Sequence, residues 1–432
     1  MKMANMDDYF DVVIVGTGAA GLYCALNLPA RYRILLLTKQ KADESDSFLA
    51  QGGICMQHGE ADYRPFFDDT MRAGHYENNP ATVDLMIRSS NSIIRDLVRR
   101  GVRFARDDHG ALRFTREGAH SRPRILFHED ITGHEITQTL LNEVLRCENI
   151  ELREHTTLLD FFADASACGG VIAAGPDGEP RAIGAGAVVL ACGGLGGLYK
   201  NSTNFPHITG DAIAMALRHG VACEHLDYIQ IHPTTLYSHR KGRRFLISES
   251  VRGEGALLLD KNGNRFTNEL QPRDVVSAAI RAQMEKDSTD HVWEDMRPIG
   301  EAAIREHFPN ILERCEEEGY DPIHEPIPVV PAQHYFMGGI TADLSSRTAL
   351  PRLYACGETC CNGVHGRNRL ASNSLLESLV FAQRAADDIL YGEPPVFTGD
   401  KPDLAPYREQ EPLFAAYRQE VLTAIERSKN HE

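Results

Sequence analysis

Near the N-terminus, Gly16-Thr17-Gly18-Ala19-Ala20-Gly21 directly follows the apolar run Val12-Val13-Ile14-Val15. In a strand–turn–helix unit these glycines have separable tasks. Gly16 permits the tight turn, Gly18 lets the main chain approach a pyrophosphate, and Gly21 lets helix and strand pack closely. The free N–H groups and positive dipole end of the helix behind them favour phosphate. Such a glycine pattern alone is a weak signal. Here a second apolar run, Ile34–Leu37, follows at the distance a βαβ unit requires, so the segment reads as a dinucleotide turn. That second run ends Thr38-Lys39, with no carboxylate for the ribose hydroxyls, which weighs against a nicotinamide cofactor.

Three distant segments turn the reading towards FAD. Ala50-Gln51-Gly52-Gly53-Ile54 is a turn that exposes its main chain soon after the βαβ unit. Val188-Val189-Leu190-Ala191-Cys192-Gly193-Gly194 is a buried strand running into glycines. Leu353-Tyr354-Ala355-Cys356-Gly357-Glu358 ends a strand on an acid suited to ribityl hydroxyls, and a helix then opens near Ser374. The dipole of that helix would favour negative charge on a reduced flavin.

The elements that must hold these segments can be read from period and punctuation. Strand Asp11–Val15, helix Leu22–Asn27 and strand Ile34–Leu37 form the first unit. Helical spacing returns over Val83–Arg100, with Gly101 as a C-terminal stop, and over Glu135–Arg146. Ile150–Arg153, Leu158–Phe162, Val171–Ala174 and Ala182–Ile183 read as a small antiparallel sheet preceding the strand Ala187–Ala191. Asp211–Arg218 reads as a helix ending at Gly220. From Thr235 to Pro331 the sequence reads as polar and irregular with helical pieces such as Val275–Glu285. A strand at Leu353–Ala355 and a helix over Asn373–Leu390 follow, then a tail helix Leu413–Lys429 with Leu413, Ala416, Val421 and Ile425 on its apolar face.

The predicted class is α/β. A Rossmann-like FAD-binding domain is built from two segments, 1–234 and 335–393. An inserted α+β capping domain spans 235–334, and a short helical tail occupies 394–432. At 432 residues, two or more cores are expected. A net charge of −16 argues against nucleic acid and anionic membranes as partners. No run approaches the roughly 18 apolar residues of a membrane-spanning helix. The first ten residues lack a signal-peptide pattern, and ten cysteines without a CxxC pair suit a reducing cytoplasm. Cys356, Cys360 and Cys361 cluster without zinc-ligand spacing, so no metal is expected.

A further set of motifs carries a family resemblance from Tyr9 to about Gly392. These are Ala50–Gly53, Gln230-Ile231-His232-Pro233-Thr234, Arg252-Gly253-Glu254-Gly255, Pro272-Arg273-Asp274, His334–Gly339 and Asn368–Glu377. In this order they resemble the succinate dehydrogenase and fumarate reductase flavoprotein superfamily. Within it the chain is most similar to the L-aspartate oxidase family, through Thr115–Ser121, Arg124-Ile125-Leu126 and Ala371-Ser372-Asn373-Ser374. Membrane succinate dehydrogenases bind flavin through a histidine where this chain has Asp46, so the resemblance implies noncovalent FAD. Two features depart from the family pattern. Only a short tail follows Pro394 in place of a helical bundle, and Arg367 stands where a small residue is usual.

The resemblance implies roles residue by residue. It places His232, His334 and Arg369 around substrate carboxylates, with Gln230, Ser248 and Glu249 beside them. Arg273 corresponds to the active-site arginine delivered by the inserted domain, and a planar guanidinium suits bidentate pairing with a carboxylate. Glu117 is the expected selector of aspartate over succinate, through the α-ammonium; its alternative is pairing with Arg116 or Arg122. Glu249 and Glu254 are alternatively parts of an ion-pair network with Arg252. The cofactor set is Gly16, Gly18, Ala19, Ala20, Gly21, Lys39, Ser45, Ala50, Gln51, Gly52, Gly53, Asp211, Glu358, Ser374 and Leu375. The implied reaction is hydride transfer from L-aspartate to FAD, giving iminoaspartate, with O2 or fumarate as acceptor and quinolinate synthase as a partner. A soluble fumarate reductase or succinate dehydrogenase-type flavoprotein is the nearest alternative. An electron-transfer subunit and a noncatalytic flavin-binding protein stand behind it.

Overall fold

The computed structural model describes residues 8–240, 242–392 and 395–430. The expected start of the tail at Pro394 therefore lies outside the described residues, as do Met1 to Asp7.

The strand Tyr9–Val15 sits mid-sheet, parallel to Ile34–Leu37 on one side and to Pro180–Leu190 on the other. Ile34–Leu37 pairs in parallel with Ile150–Arg153 at the sheet edge. All four residues of Ile34–Leu37 are buried, as a parallel strand covered on both faces requires. One face packs the helices Ala19–Asn27, Pro80–Arg99, Thr132–Val144 and Asn373–Tyr391 around Leu22, Ile94, Leu140 and Phe381. The other packs Asp211–Arg218 and the tail helix Gln410–Lys429 around Phe161, Ile213, Tyr417 and Val421. Helix Pro80–Arg99 shows why such elements form locally. Asn79 caps it through Ala81 N at 3.0 Å, and Pro80 occupies its first position. Val83, Met86, Ile87, Ser90, Ile93, Ile94 and Leu97 then fall on one buried stripe.

Three expectations are corrected. No separate antiparallel sheet exists between residues 150 and 183 among the described residues. Ile150–Arg153 belongs to the parallel edge, and the runs at 182–183 and 187–191 merge into one strand, Pro180–Leu190. The early half of that strand pairs antiparallel with Cys168–Ala174, and its last three residues pair in parallel with Leu353–Ala355. The sequence between 235 and 331 is more ordered than its polarity suggests. The strands Ile229–Leu236, Ile327–Phe336, Val292–Asp295 and Leu257–Leu259 form an antiparallel sheet. Helix Arg273–Asp287 covers this sheet, sharing a core of Val276, Ile280, Leu258, Val292 and Val329. The expected junctions at 234/235 and 334/335 fall inside the first two of these strands. In the tail helix, Tyr417 is buried and Ala416 is exposed, because the packing stripe runs through Tyr417, Val421 and Ile425.

Candidate active site

The first glycine turn opens where Tyr9–Val15 and Pro180–Leu190 end side by side. Gly16 has φ +114° and its Cβ position is occupied by the carbonyl of Ala191, so only glycine fits. From this switch point one cavity of about 420 Å³ runs to the seam with the inserted sheet. Lys39 and Asp211 line it near one end of the set, and His232, Glu249, Arg273, His334 and Arg369 line it at the seam. Lys39 donates to Asp211 at 2.7 Å and to the carbonyl of His207 at 3.2 Å.

The seam end is built by element termini. Arg273 is the first residue of helix Arg273–Asp287. Its Nε donates to Glu249 Oε2 at 2.5 Å and its Nη1 to Gln230 Oε1 at 2.8 Å. Gln230 Oε1 also accepts from Arg369 Nε at 3.3 Å, while Gln230 Nε2 donates to Asn368 Oδ1 and to the carbonyl of Arg369, both at 2.8 Å. Arg369 lies over the Tyr335 ring at 4.2 Å and donates to Ser374 at 2.5 Å. Burial and the nearby Arg273 lower its guanidinium to about 10, still cationic at neutral pH. Burial opposes ionisation of Glu249, but Arg273 and Arg252 outweigh it and hold the carboxyl below its ordinary range.

His232 and His334 come from adjacent strands, with ring centroids 5.2 Å apart at 71°. Burial, then the charge of Arg273, drives both well below the usual imidazole range, so both are neutral. His232 Nδ1 lies against the main chain of Thr234, and its Nε2 has no protein partner. His334 Nδ1 meets the Thr203 hydroxyl at 2.7 Å.

Glu117 is 2% exposed. Neither Arg116 nor Arg122 is its partner. Its two oxygens accept from Ser250 Oγ at 2.8 Å and Ser372 Oγ at 2.6 Å. Burial, reinforced by the charge of Glu249, raises its carboxyl above the ordinary range. Space around it is tight: a Cβ on Gly52 would strike Glu117 Oε1, and one on Gly118 would lie 2.5 Å from Glu249 Oε1. Ser248 caps the short helix Glu249–Gly253, which aims Glu249 at Arg273. Glu254 points elsewhere and pairs with His307 at 2.7 Å.

Comparison with known proteins follows from this geometry. The FAD binding domain family matches residues 11–375. The L-aspartate oxidase of Clostridium perfringens is 48% identical over 380 residues, spanning 88% of this chain and 86% of that protein. That of Nostoc sp. is 44% identical over 442 residues, spanning 98% and 76%. The chain belongs to the L-aspartate oxidase family. Solved structures of similar fold include an E. coli quinol fumarate reductase, with a TM-score of 0.83 and 31% identity over 95% of this chain and 74% of that one. A Mycobacterium smegmatis Sdh1 complex aligns with a TM-score of 0.76 and 30% identity, over 90% and 70%.

FAD is the cofactor of this L-aspartate oxidase family member, and the residues present fit it. Thr17 Oγ1, Ser45 Oγ, Asp46 Oδ2 and Gln51 Oε1 are buried at the cavity wall without a protein partner, as polar groups that serve a ligand are. Of the residues expected to hold the cofactor, Ala19 and Gly21 do not line the cavity. Ala19 N donates to Ser47 Oγ, and Gly21 packs against the carbonyl of Gly16. Gln230 likewise stays off the wall, joining the two arginines from behind. Sequence reasoning missed Ser250, Thr203, Arg243 and Asn204. Ser250 had a signal in its place beside Ser248-Glu249; Thr203 and Asn204 sit in a loop that no local pattern marks.

Proposed function

We propose that the chain oxidises L-aspartate to iminoaspartate, with O2 or fumarate taking the electrons, as the first step towards quinolinate and NAD. Bound FAD supplies the hydride acceptor. Gly16, Gly18, Ala20, Lys39, Ser45, Ala50–Gly53, Asp211, Glu358, Ser374 and Leu375 would hold it. Arg273 and Arg369 bind the two substrate carboxylates, since both stay cationic in a site closed to water. His232 and His334, kept neutral, orient those carboxylates without adding charge. Glu249 holds Arg273 in register, and Gln230 fixes the spacing between the arginines. Ser248 aims Glu249 by capping its helix.

The observation that carries the reading is the state of Glu117: a buried carboxyl with two hydroxyl donors and no cation against it. An α-ammonium supplies the missing positive partner; succinate has none to offer. The same arginine clamp would serve a soluble fumarate reductase, the second reading, but that activity gives Glu117 no partner. The product imine hydrolyses in water, which favours its delivery to quinolinate synthase, and the free cysteines suit a cytoplasmic setting. No helix among the described residues is long and apolar enough to cross a membrane.

Glu117→Gln tests the assignment. The ratio of kcat/KM for L-aspartate to that for succinate is expected to fall about tenfold or more, the range of a charge-assisted hydrogen bond. An unchanged ratio rejects Glu117 as the selector.

A further inference from the structure

The two arginines of the clamp reach the site from different parts of the chain, and one surface turn touches both. Helix Tyr63–Ala73 ends at Gly74, and His75 and Tyr76 follow with φ of +58° and +62°. Left-handed backbone past a helix end is the habitual place of glycine. Two consecutive side-chain-bearing residues there are strained, and such strain persists only where the surroundings over-determine it.

On one side the turn is tied to the loop that leads to Arg369. Arg367 N donates to Gly74 O at 3.1 Å, and Asn79 N to Gly363 O at 2.7 Å. Asn78 Nδ2 donates to Val364 O at 2.8 Å. A Cβ on Gly366 would strike Gly74 O, so loop and turn are in main-chain contact. On the other side, His75 Nε2 lies 2.9 Å from Asp274 Oδ2, and Asp274 immediately follows Arg273. Asn368 closes the circuit. Its Nδ2 donates to Ala73 O at 3.1 Å and to Asp274 Oδ1 at 3.3 Å, and its Oδ1 accepts from Gln230 at 2.8 Å.

We propose that the 74–79 turn is a brace that sets the spacing of Arg273 and Arg369, with His75 and Asp274 as its positioning residues. The left-handed backbone throws the His75 ring across the seam onto the first turn of helix Arg273–Asp287. The remainder of the turn holds the Arg369 loop. Displacing one arginine by about 1 Å is enough to lower turnover on the order of a hundredfold, so a contact remote from the substrate can control the rate. The side chains of His75 and Asp274 are 45% and 40% exposed. An exposed pair adds little to global stability, so its removal is read in kinetics rather than in melting.

The brace rests on the clamp reading above, and the test keeps the two apart. Parent holoenzyme is assayed with L-aspartate, and with fumarate if aspartate is not turned over; that result alone judges the reading. The variants judge the brace by their ratio to the parent on whichever substrate is used. His75→Ala and Asp274→Ala are each expected to lower kcat/KM about tenfold, and the double variant no further, because both break one contact. Asp274→Asn, which keeps an acceptor for His75, is expected to retain at least about half of the parent value. Melting temperature and FAD affinity stay at parent values. The brace is overturned by kcat/KM within about twofold of the parent in either alanine variant, by losses that multiply in the double variant, or by a fall that tracks lost FAD.

Discussion

Arg273 and Arg369 donate to the same acceptor, the side-chain oxygen of Gln230, at 2.8 and 3.3 Å. Two guanidinium groups held against one oxygen repel each other, and Glu249 at 2.5 Å from Arg273 offsets that repulsion. The arrangement stores two positive charges in a closed site, ready for a dianion.

The first prediction concerns that store. Lysine has no planar fork with which to hold Glu249 and Gln230 together. Arg273→Lys is expected to lower kcat for L-aspartate on the order of a hundredfold or more, with FAD still bound. Steady-state kinetics beside the flavin spectrum checks this. A variant within about threefold of the parent would remove Arg273 from the chemistry.

A second prediction comes from the inserted domain. Glu294 is fully buried on strand Val292–Asp295, and neither carboxyl oxygen has a partner. Burial pushes its carboxyl up to about 8 from 4.5. The folded chain thus binds this proton more tightly than the unfolded chain. The resulting stabilisation is complete below pH 4.5 and drains away as pH rises through about 8. Between those values it changes by about 1.4 kcal/mol per pH unit. Thermal melts of parent and Glu294→Gln should show the parent losing its advantage from pH 5 to pH 8.5. Parallel pH profiles would contradict the assignment.

Local pattern made some of this legible and left other parts out of reach. The turn at Gly16–Gly21 could be read because its glycines answer to the chain next to them, and Asp211–Arg218 because its apolar spacing is helical. Pro180–Leu190 was split in two because its partner changes midway, from an antiparallel hairpin to a parallel strand, which no window of sequence reports. The strands of the inserted sheet are short, and Leu257–Leu259 pairs with residues nearly forty positions away. The motifs around Arg273, Arg369 and His334 were visible by resemblance. That Ser250 and Ser372 hold Glu117 was not, because those contacts span 133 and 255 positions.

Asp46 gives a third prediction. Its carboxyl is buried beside the cavity, accepting from Phe205 N at 2.9 Å, and burial raises it to about 7. A carboxyl there forms no bond to flavin of the kind a histidine forms. Acid precipitation is therefore expected to leave all the flavin in the supernatant; flavin retained in the pellet would refute noncovalent binding.

A fourth prediction returns to the glycine turn. In Gly16→Ala the new methyl meets the carbonyl of Ala191 on a backbone with φ +114°. The variant is expected to purify with less than about a tenth of the parent's FAD, a loss set by strain at a left-handed position. Normal flavin content would show that the turn relaxes without harm.

The central claim is that this clamp, with Glu117 beside it, oxidises L-aspartate at the flavin. Anaerobic mixing of holoenzyme with substrate, followed at the flavin absorbance band, measures that step without the acceptor. The account predicts bleaching by L-aspartate and none of comparable rate by succinate; bleaching by succinate with none by L-aspartate would contradict it.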